Sequence, residues 1–307
     1  MYDLCCIGHI TLDKVVTPQS TVHMPGGTAF YFSNAMRKMG LDYLLVTAVA
    51  PGEMSFISDL RAAGVAVEAL PSTRTVYFEN IYTDDQDHRT QRVLQTADAF
   101  TPGQLAPIDA RIFHLGPLLS DEIPLALLKV LSEKGMVSLD VQGYLRMVRD
   151  KNVHAVDWPD KKEALPYVDI LKASISEMEV LTEQTDIRKG AAMLAGWGAS
   201  EVIITMGSKG SLVFKDQTFY TIPAYSPGTA VVDATGCGDT YMAGYLYQRL
   251  NGMGPQDSGE FAAAMATLKI QGSGPFRGTV DEVQALLDSH KPPFQAEVSS
   301  FAKKIAE

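Results

Sequence analysis

Short runs of aliphatic residues, each followed by a helical pattern, recur along most of this chain, and that alternation constrains its fold more than any other feature. Strands are expected at Leu4–Ile10, Leu44–Val49, Ile112–Leu115, Val137–Asp140, Ile170–Lys172 and Val202–Met206. Helices are expected at Phe30–Lys38, Ser55–Ala63, Ile123–Glu133, Ser176–Glu183 and Lys189–Trp197. Continuous apolar runs suit strands buried on both faces, and strand–helix–strand repetition joins parallel strands through right-handed crossovers. The chain is therefore expected to be α/β, with a mostly parallel central sheet between two helical layers. After Met206, Ser211–Lys215 and Thr218–Ile222 read as a hairpin about Asp216-Gln217. Helices from Gly238, over Gly259–Gln271 and over Val280–Ser289 close the domain.

One stretch breaks this rhythm. Thr75–Gln95 reads as two strands around the polar turn Asp84-Asp85-Gln86-Asp87, and Val15-Val16 and Thr21–His23 can pair with them. These strands carry few aliphatic residues, so they are expected beside the main sheet rather than within it. The expectation is a small β lid, with strands at residues 13–24 and 75–95, inserted in a single domain over residues 1–307. A purely structural flap is the alternative.

Composition narrows the function classes. The 307 residues are 46% hydrophobic and 20% charged, which is ordinary for a globular protein, and the net charge of −10 disfavours nucleic acid or an anionic membrane as partner. Three cysteines in no metal-ligand spacing suit a reducing compartment. The longest apolar stretch, around Tyr43–Val49, is far too short to span a bilayer. Met1-Tyr2-Asp3-Leu4 runs straight into a strand without a basic-then-apolar leader pattern. A cytoplasmic location is expected.

The chemistry concentrates at Val231–Thr240, where an apolar lead-in meets the small-residue turn Thr235-Gly236-Cys237-Gly238 and then an amphipathic helix. The first N–H groups of a helix lack intrahelical partners, and the helix dipole adds partial positive charge, so such an end attracts anions. Asp239 stands directly beside that end. A plain phosphate cradle would avoid its charge, whereas phosphoryl transfer requires a base for the attacking hydroxyl. A tight connection with a first-turn acid is the simpler explanation of the same residues.

The run Asp233-Ala-Thr-Gly-Cys-Gly-Asp239 resembles the C-terminal signature of the ribokinase-like (PfkB) carbohydrate kinases, usually Asp-Thr-x-Gly-Ala-Gly-Asp, and the resemblance extends over essentially the whole chain. It implies a three-layer ribokinase-like fold. Gly8-His-Ile-Thr-Leu-Asp13 resembles the family's first strand, whose terminal Asp binds substrate hydroxyls. Pro25-Gly26-Gly27, the following helix and Gly40 match the family's layout, with Tyr31 where many sugar kinases have Asn and Asn34 one helical turn later. Asp140-Val-Gln142 and the later Arg146 resemble an Asp-x-Asn segment. Ser174-Ile-Ser-Glu177 resembles Asn-x-x-Glu and equally reads as a helix capping box. Thr205-Met-Gly207-Ser-Lys-Gly210 resembles the nucleotide strand and turn, and Gly272-Ser-Gly274 the loop bordering the adenine.

The resemblance implies an ATP-dependent kinase for a hydroxyl of a sugar or polyol, with an inositol-like acceptor favoured by the Gly26–Tyr31 helix start. Asp239 would be the base, and the N–H groups of Gly236, Cys237 and Gly238 would stabilise the transferring phosphoryl group. Asp13, Gly26, Gly27 and Tyr31 would bind the acceptor. Ser174, Thr205, Gly207, Gly210 and Gly274 would bind the nucleotide, with Glu177 acting on Mg2+ through water. A monovalent cation and a homodimer through the lid are further expectations. A nucleoside acceptor, stacked on Phe30, Tyr31 or Tyr77, is one alternative. A catalytically retired relative is the other, motivated by the departures at Tyr31, Gln142 and Ser174. A Rossmann site is excluded because no Gly-x-Gly-x-x-Gly follows the first strand. A P-loop and a Gly-x-Ser-x-Gly elbow are likewise missing.

Overall fold

Alternation of side chains makes the first strand central. In β1 (Tyr2–Ile7), Leu4 and Cys6 point to one face and Cys5 and Ile7 to the other, and all four are fully buried. The computed structural model describes residues 1–82 and 89–290, so the Asp84–Asp87 turn lies outside the described residues. After β1 come β2 (Thr11–Val16), β3 (Thr21–Gly26), α1 (Gly27–Met36), β4 (Tyr43–Val49), α2 (Met54–Ala62) and β5 (Ala66–Pro71). Next are β6 (Val76–Tyr82), β7 (Arg89–Gln95), α3 (Pro102–Leu105), β8 (Ala110–Leu115), α4 (Leu125–Ser132) and β9 (Met136–Asp140). They are followed by β10 (Arg146–Arg149), β11 (Asn152–Ala155), α5 (Lys161–Ala164), β12 (Ile170–Ser174), α6 (Ile175–Thr182), α7 (Ile187–Gly196) and β13 (Glu201–Thr205). The hairpin β14 (Ser211–Lys215) and β15 (Thr218–Ile222) precedes α8 (Cys237–Leu250), α9 (Pro255–Lys269) and α10 (Val280–His290).

The main sheet has the order β15-β14-β13-β12-β9-β8-β1-β4-β5. It is parallel from β5 to β13, and β14 and β15 add an antiparallel edge. The expected Asp216-Gln217 turn has φ of 47° and 59°, the doubly positive geometry that joins tight hairpins. Two apolar layers flank the sheet. One packs Leu127, Leu131, Met178 and Leu194 of α4, α6 and α7, and the other packs Phe32, Leu60, Leu246 and Phe261 of α1, α2, α8 and α9. Among the described residues, no helix is long and apolar enough to cross a membrane.

The second sheet has the order β10-β11-β7-β6-β2-β3. Its own small core joins Val76, Phe78 and Val93 to Leu118 and Leu119 in the connection after β8. Glu79 is clamped between Lys14 at 2.9 Å and Arg92 at 3.1 Å, which ties β2, β6 and β7 across the sheet.

Several boundaries differ from the sequence expectation. The first strand ends at Ile7 instead of Ile10, because Gly8 turns out against Gly116, where a Cβ would lie 2.8 Å from the carbonyl oxygen. Asp13 consequently belongs to β2 of the second sheet. That sheet reaches beyond residues 13–24 and 75–95, since β10 and β11 extend it. Their four-residue strands are too short to display a period. β5 is also not evident in the sequence, as Glu68 interrupts its apolar run.

Candidate active site

The expected strand-like lead-in at Val231–Asp233 is an irregular, exposed segment, since β15 ends at Ile222 and Val231 and Val232 are 59% and 60% exposed, and the glycine turn alone sets the start of α8. Gly236, immediately before α8, has φ of 73°, and a Cβ there would meet the Tyr31 ring at 2.2 Å. Only glycine satisfies both conditions. No side chain caps α8, so its N-terminal dipole is left for a ligand, although the Cys237 N–H already turns back to the Ala234 carbonyl at 3.2 Å. Gly236→Ala should therefore cost about 1–2 kcal/mol from the left-handed backbone alone, and more from displacing Tyr31. A lowered Tm together with a reduced turnover is the expected result. An alanine variant with wild-type melting and rate would show that the turn does not depend on this geometry.

Asp239, in the first turn of α8, sits among charges. Burial and the nearby Asp140 carboxylate push its pKa up to about 6, against the opposing effects of Lys172, a hydrogen bond with Thr28 and the Arg146 guanidinium. Asp140 and Lys172 form a buried ion pair at 2.8 Å, 6% and 4% exposed for the lysine and the acid. They meet because β9 and β12 are neighbours in the sheet, with Asp140 in register with Lys172. Burial alone would lower the Lys172 pKa, but Asp140, Glu177 and Asp239 together hold it above the usual lysine range. Gly238 leaves room for this ammonium, since a Cβ there would be 3.3 Å from Lys172 Nζ. Gln142 only donates its backbone N–H to Asp140 Oδ1, at 3.2 Å.

The α1 start connects this centre to Asp13, the residue expected to bind the acceptor. Thr28 bonds Asp239, while a Cβ on Gly26 would meet Asp13 Oδ2 at 2.3 Å, so the Gly26-Gly27 backbone lies directly against that carboxylate. Gly27, with φ of 82°, crosses under the His9 carbonyl, which a Cβ would approach to 2.7 Å. Thr11 Oγ1 donates to Asp13 Oδ1 at 2.6 Å. Tyr31 is 4% exposed and its ring lies against Gly236, beneath the turn. Asn34 bonds the Phe30 carbonyl at 2.9 Å and is also buried.

Among the residues expected to bind the nucleotide, Ser174 caps α6 and forms a full capping box. Glu177 N–H donates to Ser174 Oγ at 3.3 Å, and Ser174 N–H donates to Glu177 Oε2 at 2.7 Å. Thr205 ends β13, with its hydroxyl directed to the Ala173 carbonyl at 3.4 Å. Gly207 and Gly210 have φ of 59° and 88° in the turn that follows. A Cβ on Gly210 would meet the Ile222 carbonyl oxygen at 2.1 Å, so that glycine also serves packing against β15, whereas Gly207 is open. Gly274 N–H donates to Asp233 Oδ2 at 3.1 Å.

Among the described residues, no cluster of three His, Cys, Asp or Glu side chains forms a metal cage. A single half-buried carboxylate, Glu177, fits Mg2+, which keeps most of its waters and takes its other ligands from phosphate. The parallel strands thus bring the Ser174 and Thr205 ends, the α8 turn, Asp239 and the α1 start to their carboxyl edge, the usual binding edge of such sheets. Asp140, Lys172, Thr28 and Arg146 join them as residues whose charge or hydrogen bond reaches Asp239. In the sequence, Asp140 and Arg146 stand in the segment that resembles Asp-x-Asn, whereas Thr28 and Lys172 only neighbour recognisable motifs.

Comparisons with known proteins identify the family and the fold. Residues 1–280 match the family model for the pfkB family carbohydrate kinases. A cytidine kinase of Thermococcus kodakarensis is 31% identical over 255 residues, covering 80% of this chain and 88% of that protein. A 2-dehydro-3-deoxygluconokinase of Dickeya dadantii is 28% identical over 295 residues, covering 84% and 89%. A solved pyrophosphate-dependent kinase of the ribokinase family, complexed with a pyrophosphate analog and myo-inositol, superposes with a TM-score of 0.82 at 30% identity, covering 92% of this chain and 99% of that one. This chain belongs to the pfkB family of carbohydrate kinases, and is a phosphotransferase that delivers a phosphoryl group to a hydroxyl acceptor.

Proposed function

We propose that this protein phosphorylates a hydroxyl of an inositol-like polyol. The observation that carries the reading is the Asp239 carboxylate, with a pKa of about 6, at the uncapped start of α8 and bonded to Thr28 of the acceptor-side helix. In the proposed mechanism, Asp13 and the Gly26-Gly27 backbone hold the acceptor through its vicinal hydroxyls. Asp239 accepts the proton of the attacking hydroxyl, and the α8 turn with Lys172 and Arg146 spreads the charge of the transferring group. Ser174, Thr205, Gly207, Gly210 and Gly274 border the donor, which is ATP in this reading. Mg2+, with Glu177 reaching its water shell, would neutralise donor charge. The second sheet acts as the lid that excludes water. Free thiols at Cys5, Cys6 and Cys237 suit a cytoplasmic enzyme.

A polyol is favoured over a nucleoside because Tyr31, an aromatic available in principle for base stacking, is turned against Gly236. The likeness to a myo-inositol complex supports the same class. That likeness also motivates a second donor reading, pyrophosphate in place of ATP. Initial rates with ATP and with pyrophosphate, each against inositols, sugars and nucleosides, test all of these. Phosphorylated inositol as the preferred product is expected. A preference for cytidine or another nucleoside would overturn the acceptor, and saturable binding without turnover of any acceptor would overturn the kinase reading. A homodimer through the lid belongs to the same proposal, since edge strand β3 exposes Val22 to 50%. A monomer by solution mass would remove it.

A further inference from the structure

Lys269, the last residue of α9, is a second buried lysine, distinct from Lys172, and its side chain is fully covered. A covered ammonium is costly unless its hydrogens find acceptors. Its Nζ donates to the Asp233 backbone carbonyl at 2.7 Å and lies 3.2 Å from Asp233 Oδ2. Asp233 distributes that hold over two loops. Its Oδ1 accepts from Thr235 N–H at 2.8 Å, one residue before Gly236, and its Oδ2 accepts from Gly274 N–H at 3.1 Å. Burial alone would raise the Asp233 pKa, but these hydrogen bonds and the Lys269 charge bring it below the usual range.

The segment so held has little else to anchor it. Val231 and Val232 are 59% and 60% exposed, and Val232 N–H is tied to the Ile270 carbonyl at 2.8 Å, again next to Lys269. A chain piece with so little apolar burial would sample many conformations, yet it must present the left-handed Gly236 and the α8 start in one shape. A dissolved monovalent cation ligated by the Asp233 oxygens is one chemical means of ordering such a loop. Here the carbonyl and carboxylate oxygens that would ligate it are already taken by the ammonium, so they do not fit a dissolved ion.

The geometry points to Lys269 as a positioning residue that serves as the internal cation of the phosphoryl-binding turn, making turnover independent of K+ or NH4+. This rests on the proposed role of that turn in phosphoryl transfer. The experiment has two arms. Wild-type initial rates in choline, Na+, K+ and NH4+ chlorides at equal ionic strength should agree within about twofold. Lys269→Ala should lower kcat about 10–100-fold, as misplacing a reacting group does, with the acceptor KM little changed and with kcat partly restored by KCl or NH4Cl. A wild type stimulated severalfold by K+, an alanine variant with unchanged kcat, or a kcat loss that no monovalent salt relieves would overturn the assignment. If the variant does not fold, the wild-type salt series still decides it. A wild type without turnover on any acceptor is a different failure, that of the kinase reading.

Discussion

Asp239→Asn should lower kcat by roughly two to four orders of magnitude, the range that a positioned general base supplies, while leaving acceptor binding largely in place. The asparagine keeps the shape of the α8 start but cannot accept a proton from the attacking hydroxyl. The wild-type pH profile follows from the same residue. Its pKa of about 6 means that the basic form is lost as pH falls through 6, so kcat/KM should decline on that side and the asparagine variant should lack the limb. Stability should move the other way. A carboxyl whose pKa is raised in the folded state binds its proton more tightly there than when unfolded, so folding is penalised by the charge at neutral pH. The variant should melt higher than wild type at pH 7, and the gap should close as pH falls from above 6 towards 4. A variant with near-full turnover would remove Asp239 as the base. An acid limb that persists in a residually active variant would assign that ionisation to another group.

Lys172→Met is the second large effect. It leaves Asp140 buried without its partner, and breaking such a pair costs about 3–5 kcal/mol. It also removes the positive charge that opposes the upward shift of Asp239, so the acid limb should move above pH 6. Asp140→Asn removes a charge that raises Asp239, and its limb should move below pH 6. Opposite displacements from two residues of one ion pair distinguish electrostatic tuning from general damage, which would lower kcat in both without moving the profile. The double variant Asp140→Asn/Lys172→Met should regain much of the lost stability, because neither charge is left stranded. Thermal melts and kcat/KM profiles of the three variants measure every part of this, and limbs displaced in the same direction would overturn it.

The parts of this site that can be read directly are those made by contiguous residues. The α8 turn is legible because glycine turn and helix start occur in one run, where local backbone geometry requires the residue types, whereas the apolar lead-in at Val231-Val232 reads as a strand and is an exposed irregular segment. The Ser174–Glu177 box is legible for the same reason, its two hydrogen bonds closing over three residues. Asp13 reads as the acid that ends the first strand, yet it stands on β2, since β1 stops at Ile7 where Gly8 packs against Gly116. Tyr31 illustrates the limit from the other side. Its place in the pattern points to the acceptor, but its ring packs under Gly236, because helix α1 lies against α8 in the same apolar layer.

By itself, the sequence determined the α/β class, the hairpin at Asp216-Gln217, the phosphoryl-transfer signature and the candidate base. The class and the hairpin arise from periodicity and local turn geometry, and the signature with its candidate base from the resemblance of one contiguous run to the family pattern. Only the tertiary structure decided which charges surround that base. Asp140 and Lys172 are 32 residues apart and meet through the parallel pairing of β9 with β12. Asp233 and Lys269 are 36 apart and meet because α9 ends behind the turn. A crossover connection sets the first separation and the α8–α9 helix pair the second, and no local pattern reports either. The candidate base stands out in one stretch of chain, whereas its pKa of about 6 is a property of neighbours that the fold brings to it.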